Sequence, residues 1–308
     1  MVNSDLYRGD KVVKFQFVEP RTVDEVCTLL SEYEGKAKVI AGGTDLVVQM
    51  RAGKIDPALI ISINMLGLNK INYNIDTNVV SIGSLVTNDE VSKSPIIKEY
   101  VPLLAEASRS IGGRQTRNLG TIGGNVCNAS PAADTPPALM VLGCKLRVAG
   151  LRGNIRSIDV MDFFKGPGLT TLEKDEIVTA LEVTPIRKNL AGHAFLKLGI
   201  RKAMEISIVN TAIIIELDPQ DPAICQKARI ALGAVAPTPI RAIQAENILM
   251  GQKLDDNCIN QVAEAAAQCS KPITDFRASA EYRKEMVKVL VKRGIQQAIQ
   301  EAYKKASK

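Results

Sequence analysis

The chain has 308 residues, of which 46% are hydrophobic, 23% charged and 4% aromatic, with a formal net charge of +6. No run reaches the ~20 apolar residues of a membrane helix, and the first residues lack the apolar centre of a signal peptide, so we expect a cytoplasmic protein with no membrane span. The absence of tryptophan and the scarcity of other aromatic residues argue against nucleic-acid binding.

The first 57 residues alternate strands and helices. Residues 12–18, VVKFQFV, alternate as a strand, and the helix after them begins at Thr22, where Glu25 three residues on completes a capping box. Further elements follow in the order strand, helix and strand at 36–43, 44–53 and 58–63. This β-α-β-α-β order predicts a small, mostly parallel sheet.

Residues 58–185 have a different texture. KINYNIDTNVVSIGSLV predicts two strands joined by a turn at Asp76, and Thr87 with Glu90 forms a second capping box. An apolar stripe at 101–110 predicts a helix, CKLRVAG and GNIRSIDV predict a hairpin, and EIVTALEV predicts another strand. We expect an antiparallel α+β region here.

Residues 186–308 begin with three long strand candidates between HAFLKLG and KARIALG and end in three helical segments. We place domain boundaries near residues 57 and 185.

Cysteine and histidine exclude several kinds of site. The six cysteines are scattered without a CxxC pattern, so no zinc or iron–sulfur site is expected in this chain. His193 is the sole histidine, which argues against a Ser-His-Asp triad. A lone histidine in NLAGHAF is more typical of a turn or strand residue than of a catalytic base.

A first glycine pair, Gly42–Gly43, stands between an apolar strand and a helix start at which Thr44 or Asp45 is the candidate cap. Glycine tolerates positive φ and lets a ligand approach the backbone, so the adjacent N–H groups could form an anion-binding nest. No GxGxxG follows the strand and no GxxxxGK[ST] occurs, which excludes the Rossmann fingerprint and the P-loop.

The second glycine pair lies in Thr121 to Asn125, which offers a hydroxyl, two glycine amides and a side-chain amide. Asp134 follows shortly before TPPALMVLG, where it either caps a helix or accepts a hydrogen bond from a ligand hydroxyl. Two amide-rich loops from neighbouring domains would hold one diphosphate from two sides. We therefore predict a dinucleotide between the first two domains.

Four motifs together resemble the FAD-binding (medium) subunit of the molybdenum hydroxylases, the family of xanthine dehydrogenase and aerobic carbon monoxide dehydrogenase. They are AGGTDL, QTRNLGTIGGNVCNASPAADTPP, FFKGPGLTTLEKDEIV and FLKLGIRKAMEISIVN, in the family's order. The resemblance covers essentially the whole chain. It implies an α+β fold of the vanillyl-alcohol-oxidase (PCMH) type in two FAD-binding subdomains, 1–57 and 58–185. A C-terminal domain, 186–308, would add a three-stranded sheet and a helical bundle.

The resemblance also implies a cofactor site. One pyrophosphate loop would span residues 39–46, and the other would span residues 121–125. Asp134 would meet the ribityl or ring portion, Val178 would pack on the flavin, Lys197 would lie near the isoalloxazine, and Ile111 would be a further contact. The implied set is Val39, Ile40, Ala41, Gly42, Gly43, Thr44, Asp45, Leu46, Ile111, Thr121, Ile122, Gly123, Gly124, Asn125, Asp134, Val178 and Lys197.

The implied function is electron transfer by non-covalent FAD, with no catalytic side chain and no metal on this chain. Electrons would come from [2Fe–2S] centres on an iron–sulfur small subunit, the molybdenum cofactor would sit on a large subunit, and the acceptor would be NAD or another molecule. The four-cysteine insertion of some relatives is missing, so no [4Fe–4S] cluster is expected. Two alternatives remain open: a stand-alone flavin oxidoreductase, and an assembly subunit without flavin.

Overall fold

The structure is a computed structural model that describes residues 2–8, 11–186, 190–201 and 204–306. Within this part of the chain, sheets of four, five and four strands follow one another in sequence, and a separate two-stranded sheet accompanies the second.

The first sheet is built from the amino-terminal 62 residues. Its elements are β1 (Val2–Arg8), β2 (Lys11–Val18), α1 (Val23–Glu32), β3 (Ala37–Ile40), α2 (Leu46–Arg51) and β4 (Leu59–Ser62). The strand order is β1-β2-β4-β3, with β4 parallel to both β2 and β3. The predicted parallel unit is confirmed, and the capping box of Thr22 and Glu25 begins α1. Strand β1, antiparallel to β2, was not predicted.

The second sheet and its helices occupy the middle of the chain. The elements are β5 (Ile71–Asn74), β6 (Val79–Gly83), α3 (Asn88–Lys93), α4 (Pro95–Tyr100), α5 (Pro102–Arg109), α6 (Arg114–Leu119), α7 (Ile122–Cys127), α8 (Thr135–Leu142), β7 (Lys145–Ala149), β8 (Ile155–Asp159), β9 (Phe164–Gly166), β10 (Leu169–Thr170) and β11 (Ile177–Val183). Strands β5-β6-β11-β7-β8 form an antiparallel sheet, and β9 pairs with β10. The predicted antiparallel region is confirmed. Helices α6 and α7 were not predicted.

The third sheet carries the carboxyl-terminal helices. Its elements are β12 (Ala191–Leu198), β13 (Val209–Leu217), β14 (Cys225–Gly233), β15 (Ile240–Arg241), α9 (Ile243–Leu249), α10 (Asp256–Cys269) and α11 (Ala280–Ala306). The three long strands and three helices match the prediction, and β15 adds a two-residue edge.

Helix α8 packs between the second and third sheets. All eight of its residues are buried, as expected of a helix that is apolar on every side. One side packs in the core of the second region, while Ala212, Ile214 and Ala231 of the third sheet complete the same core. The start of α8, next to Asp134, therefore lies between two sheets.

His193 provides a polar link between the same regions. It is a residue of β12, as one of the two predicted alternatives had it. Its Nδ1 lies 2.8 Å from Glu301 Oε2 on α11, and its Nε2 lies 3.4 Å from Glu106 Oε1 on α5. Burial alone would lower the pKa of His193, but the two carboxylates outweigh burial and raise it.

Candidate functional site

A cleft of about 490 Å³ lies where the first sheet meets helices α6 and α7, a volume ordinary for a small-molecule site. Both glycine segments line it. Of the predicted residues, those on its wall are Val39, Ile40, Ala41, Gly42, Gly43, Thr44, Asp45, Leu46, Ile111, Thr121, Gly123, Gly124, Asn125 and Val178. The predicted residues Ile122, Asp134 and Lys197 lie behind this wall.

The first glycine segment leaves β3 at Ile40 and reaches α2 at Leu46. The N–H groups of residues 42–45 have no hydrogen-bond acceptor within the described part of the chain. Gly43 has a φ of +69°, which a residue with a side chain adopts at a cost. Consecutive free amides beside a positive-φ residue form the concave donor array expected of an anion site.

Gly42 serves a second purpose, which is close contact between the two segments. A Cβ built on it would lie 1.8 Å from the carbonyl oxygen of Leu119, the last residue of α6. The need for glycine at this position therefore comes from packing within the protein as well as from the room that a ligand requires.

The second glycine segment is the first turn of α7, which corrects the prediction of a second array of free amides. Its donors are already used: Ile122 N donates to Val86 O, Gly123 N to Ser84 O, and Gly124 N to Thr121 Oγ1, at 2.9 to 3.0 Å. Both a neighbouring residue and a distant segment accept these hydrogen bonds. Thr121 caps the helix, and the chain after β6 packs against its first turn.

Asn125 keeps one free function on this wall. Its Oδ1 accepts a 2.6 Å hydrogen bond from Thr135 Oγ1, which leaves its Nδ2 as the donor for the cleft. Gly123 is required for packing, because a Cβ there would lie 2.6 Å from the Cβ of Ser84.

Asp45 fastens the two segments together. It occupies the N-cap position of α2, as one of the two predicted alternatives had it, but its side chain makes no capping bond. Instead, Asn128 Nδ2 at the end of α7 donates to Asp45 Oδ1 over 3.0 Å. Burial raises the pKa of Asp45, and hydrogen bonds from Thr44 and Asn128 offset part of that rise.

Asp134 and Lys197 form a buried ion pair behind the cleft. Lys197 Nζ lies 2.6 Å from Asp134 Oδ2, with side chains 9% and 6% exposed. Asp134 also accepts from Ser207 Oγ at 2.6 Å and from Asn210 Nδ2 at 3.0 Å. Asp134 therefore occupies the N-cap position of α8 without a side-chain capping bond. Its carboxylate oxygens accept hydrogen bonds from β12, from β13 and from the segment between these strands.

Lys197 reaches the cleft through the backbone. Its ammonium also donates to Ser110 O at 3.0 Å and Glu205 O at 3.1 Å. Ser110 directly precedes Ile111, which lines the cleft. The ion pair thus holds the segment that carries Ile111 against the third sheet. Two residues of the fourth motif, Lys202 and Ala203, lie outside the described residues.

Several wall residues were not predicted. Ser84 and Asn88 are buried, and Ser84 Oγ and Asn88 Oδ1 have no partner within the described ranges. Glu176 also lines the cleft, and Arg156 holds its carboxylate through two 2.8 Å bonds. These bonds lower the pKa of Glu176 against the effect of burial. Cys127 lines the cleft as a neutral thiol, because burial raises its pKa to about 12.

Two features are absent from the described residues. No group of three or more His, Cys, Asp or Glu side chains that could hold a metal ion occurs among them. None of the helices in the same part of the chain is long and apolar enough to cross a membrane.

Two protein families match the chain. Residues 13–185 match the FAD binding domain in molybdopterin dehydrogenase, and residues 194–298 match the CO dehydrogenase flavoprotein C-terminal domain. The two matched ranges together include both glycine segments and the Asp134–Lys197 pair.

Individual relatives agree with these matches. The chain is 34% identical to the glyceraldehyde dehydrogenase medium chain of Sulfolobus acidocaldarius, over 90% of this chain and 95% of that protein. It is 33% identical to the putative xanthine dehydrogenase FAD-binding subunit of Escherichia coli, over 90% and 94%. A solved structure of carbon monoxide dehydrogenase from Hydrogenophaga pseudoflava matches with a TM-score of 0.89 at 30% identity, over 93% of this chain and 98% of that one.

Proposed function

The chain belongs to the family of FAD-binding medium subunits of the molybdenum hydroxylases, and from this premise we propose that it passes electrons from [2Fe–2S] centres of a partner subunit through FAD to an external acceptor. It is a flavoprotein subunit of an oxidoreductase. FAD supplies the redox chemistry when bound, and the protein supplies position and electrostatics. The proposed acceptor is NAD or another external molecule.

One observation carries the assignment of the site: residues 42–45 present free N–H groups on the wall of a cleft of suitable size. We assign the diphosphate to this array, within the predicted loop 39–46. The second segment contributes the opposite wall through the Thr121 hydroxyl and the Asn125 amide, since its backbone donors are already used.

The flavin ring is assigned to the end of the cleft near Ile111, with Val178 as the packing residue. Both are apolar groups on the wall, which suits a flat aromatic ligand. Lys197 and Asp134 support this end through the bond from Lys197 to Ser110 O. Direct contact of either side chain with the flavin remains a prediction of the sequence.

For partners, we propose an iron–sulfur small subunit and a molybdenum-cofactor large subunit. Support comes from the relatives, several of which are named medium chains or medium subunits of dehydrogenases and hydroxylases. We also propose domain limits of 1–57, 58–185 and 186–308 and a cytoplasmic location.

The test is a flavin and metal analysis of the chain purified with and without its partners. We expect visible flavin absorption, acid-releasable FAD equimolar with the chain, and iron and molybdenum that leave with the partner subunits. An isolated chain that stays colourless with added FAD, in a complex that is also colourless, would sink the proposal. Iron stoichiometric with the isolated chain would overturn the placement of the clusters.

A further inference from the structure

Two buried polar side chains on the cleft wall lack hydrogen-bond partners. Ser84 is 3% exposed and Asn88 is 2% exposed. Ser84 Oγ and Asn88 Oδ1 have no partner among the described residues, although both residues line the cleft. Burying a polar group without a hydrogen bond is unfavourable, so two unpaired groups on residues of one cleft indicate missing ligand groups or waters.

The orientation of the Asn88 amide is fixed by the protein. Its backbone N and its Nδ2 both donate to Gly120 O, at 2.9 and 2.8 Å. The opposite orientation would set Asn88 Oδ1 against that carbonyl oxygen and repel it. Asn88 Oδ1 is therefore an acceptor that the described part of the chain leaves unused.

Ser84 is held just as firmly. Its N donates to Thr179 O and its carbonyl accepts from Gly123 N, each at 3.0 Å. Its Cβ is packed so closely on Gly123 that no Cβ fits there. The hydroxyl is therefore the polar group of Ser84 that is available for a hydrogen bond to a ligand.

The chemistry of the acceptor selects the ligand group. A diphosphate at neutral pH offers only acceptors, so it cannot satisfy Asn88 Oδ1, whereas a hydroxyl can. Asn88 is also next to the proposed diphosphate loop. A Cβ built on Gly120 would lie 3.5 Å from Asn88 Nδ2 and 3.3 Å from Thr44 Oγ1, so these two side chains approach the same side of Gly120. In FAD, hydroxyl-bearing carbons flank the diphosphate on both sides.

We propose that Ser84 and Asn88 form a subsite for hydroxyl groups flanking the diphosphate of FAD, a role that rests on the proposed function. The hydroxyls come from one of two sources, the ribityl chain or the ribose of the adenosine half. The subsite couples recognition of the carbon chain to the amides that hold the diphosphate.

The decisive variant is Ser84→Ala, because it removes no hydrogen bond within the described residues. Asn88→Ala is the second variant. The matched control is Ser108→Ala, which deletes another unpaired hydroxyl on a fully buried residue of α5 that does not line the cleft. Affinities for FAD and for ADP, the latter by competition, are measured on the full chain freed of flavin, together with its thermal midpoint.

We expect Ser84→Ala to raise the Kd for FAD by about 2- to 12-fold, as for one lost hydrogen bond, and to leave the thermal midpoint of the flavin-free chain unchanged or higher. A residue that only supports the fold would lower that midpoint. If the Kd for ADP is unchanged, the hydroxyl is on the ribityl chain. If the Kd for ADP rises equally, it is on the ribose.

FAD and ADP affinities equal to those of Ser108→Ala would overturn the subsite and leave the two atoms to buried water. That outcome differs from failure of the proposed function, in which the unaltered chain itself binds no FAD.

Discussion

Replacing Asp134 with alanine should destabilise the fold, because it leaves the Lys197 ammonium buried without a counter-charge. The carboxylate accepts three hydrogen bonds, from Lys197, Ser207 and Asn210, and both members of the ion pair are less than a tenth exposed. The resemblance alone pointed to a loss of cofactor affinity. The structure moves the main effect to stability.

The size follows from the burial. Removing one partner of a buried ion pair costs about 3 to 5 kcal/mol, whereas a solvated pair contributes ~0.2 to 1 kcal/mol. Ser207 and Asn210 lose an acceptor as well, which places Asp134→Ala in the upper part of that range. Replacing both charges in Asp134→Ala/Lys197→Met should recover much of the loss, because no unpaired charge remains.

The assay is urea unfolding of the flavin-free chain at neutral pH, followed by far-UV circular dichroism, for both single variants and the double variant. Lys93→Ala is the control, since Lys93 is 56% exposed in its pair with Asp89 and should cost under ~0.5 kcal/mol. A cost for Asp134→Ala close to that of the control, or no recovery in the double variant, would refute the reasoning.

Two further predictions follow from the structure. Gly42→Ala should lower the free energy of unfolding by about 1 to 3 kcal/mol and weaken FAD binding, because its Cβ would meet Leu119 O at 1.8 Å. The control is Gly166→Ala, whose Cβ would lie 3.7 Å from a leucine methyl and which should match the unaltered chain in urea unfolding and FAD titration. Equal stability and FAD affinity for the two variants would contradict the close contact at Gly42. The charged His193 should stabilise the fold at pH values below its ordinary pKa of 6.5, and this stabilisation should be lost as pH rises through the raised pKa. Hydrogen bonds from His193 and Lys305 lower the pKa of Glu301 to about 2 against the effect of burial. Glu301 should therefore stabilise the fold above pH 4.5 and lose this effect as pH falls towards 2. The decline of the urea midpoint with rising pH that we expect for the unaltered chain should therefore be missing in His193→Gln. Parallel curves of midpoint against pH for the two proteins would exclude the link.

Much of the fold could be predicted from the sequence because its determinants are local. The capping boxes at Thr22 and Thr87 fix helix starts within four residues, alternation of apolar residues marks β6 in the second sheet, and a continuous apolar run marks β13 in the third. The family match and the solved structures confirm the fold class that the motifs implied. The polar sequence of β1 carries no alternation, which explains why that strand was missed.

The site was predictable in part. The first glycine segment could be recognised because a strand, two glycines and a helix start determine a turn by themselves. The implied residue set also makes up half of the cleft wall. The hydrogen-bond partners of each residue could not be predicted in the same way. The sequence left Asp134 between capping a helix and binding a ligand hydroxyl, whereas in the structure its side chain pairs with Lys197, sixty-three positions along the chain.

By itself, then, the sequence determined the order of elements, the first glycine turn and the family, since each depends on neighbours in the chain or on a motif. Only the tertiary structure decided that the amides of the second glycine segment donate to Ser84, Val86 and Thr121, and that the Oγ of Ser84, a residue of the cleft wall, has no partner among the described residues. The physical reason is that a hydrogen bond between distant segments depends on where packing brings them, and packing is a property of the whole core.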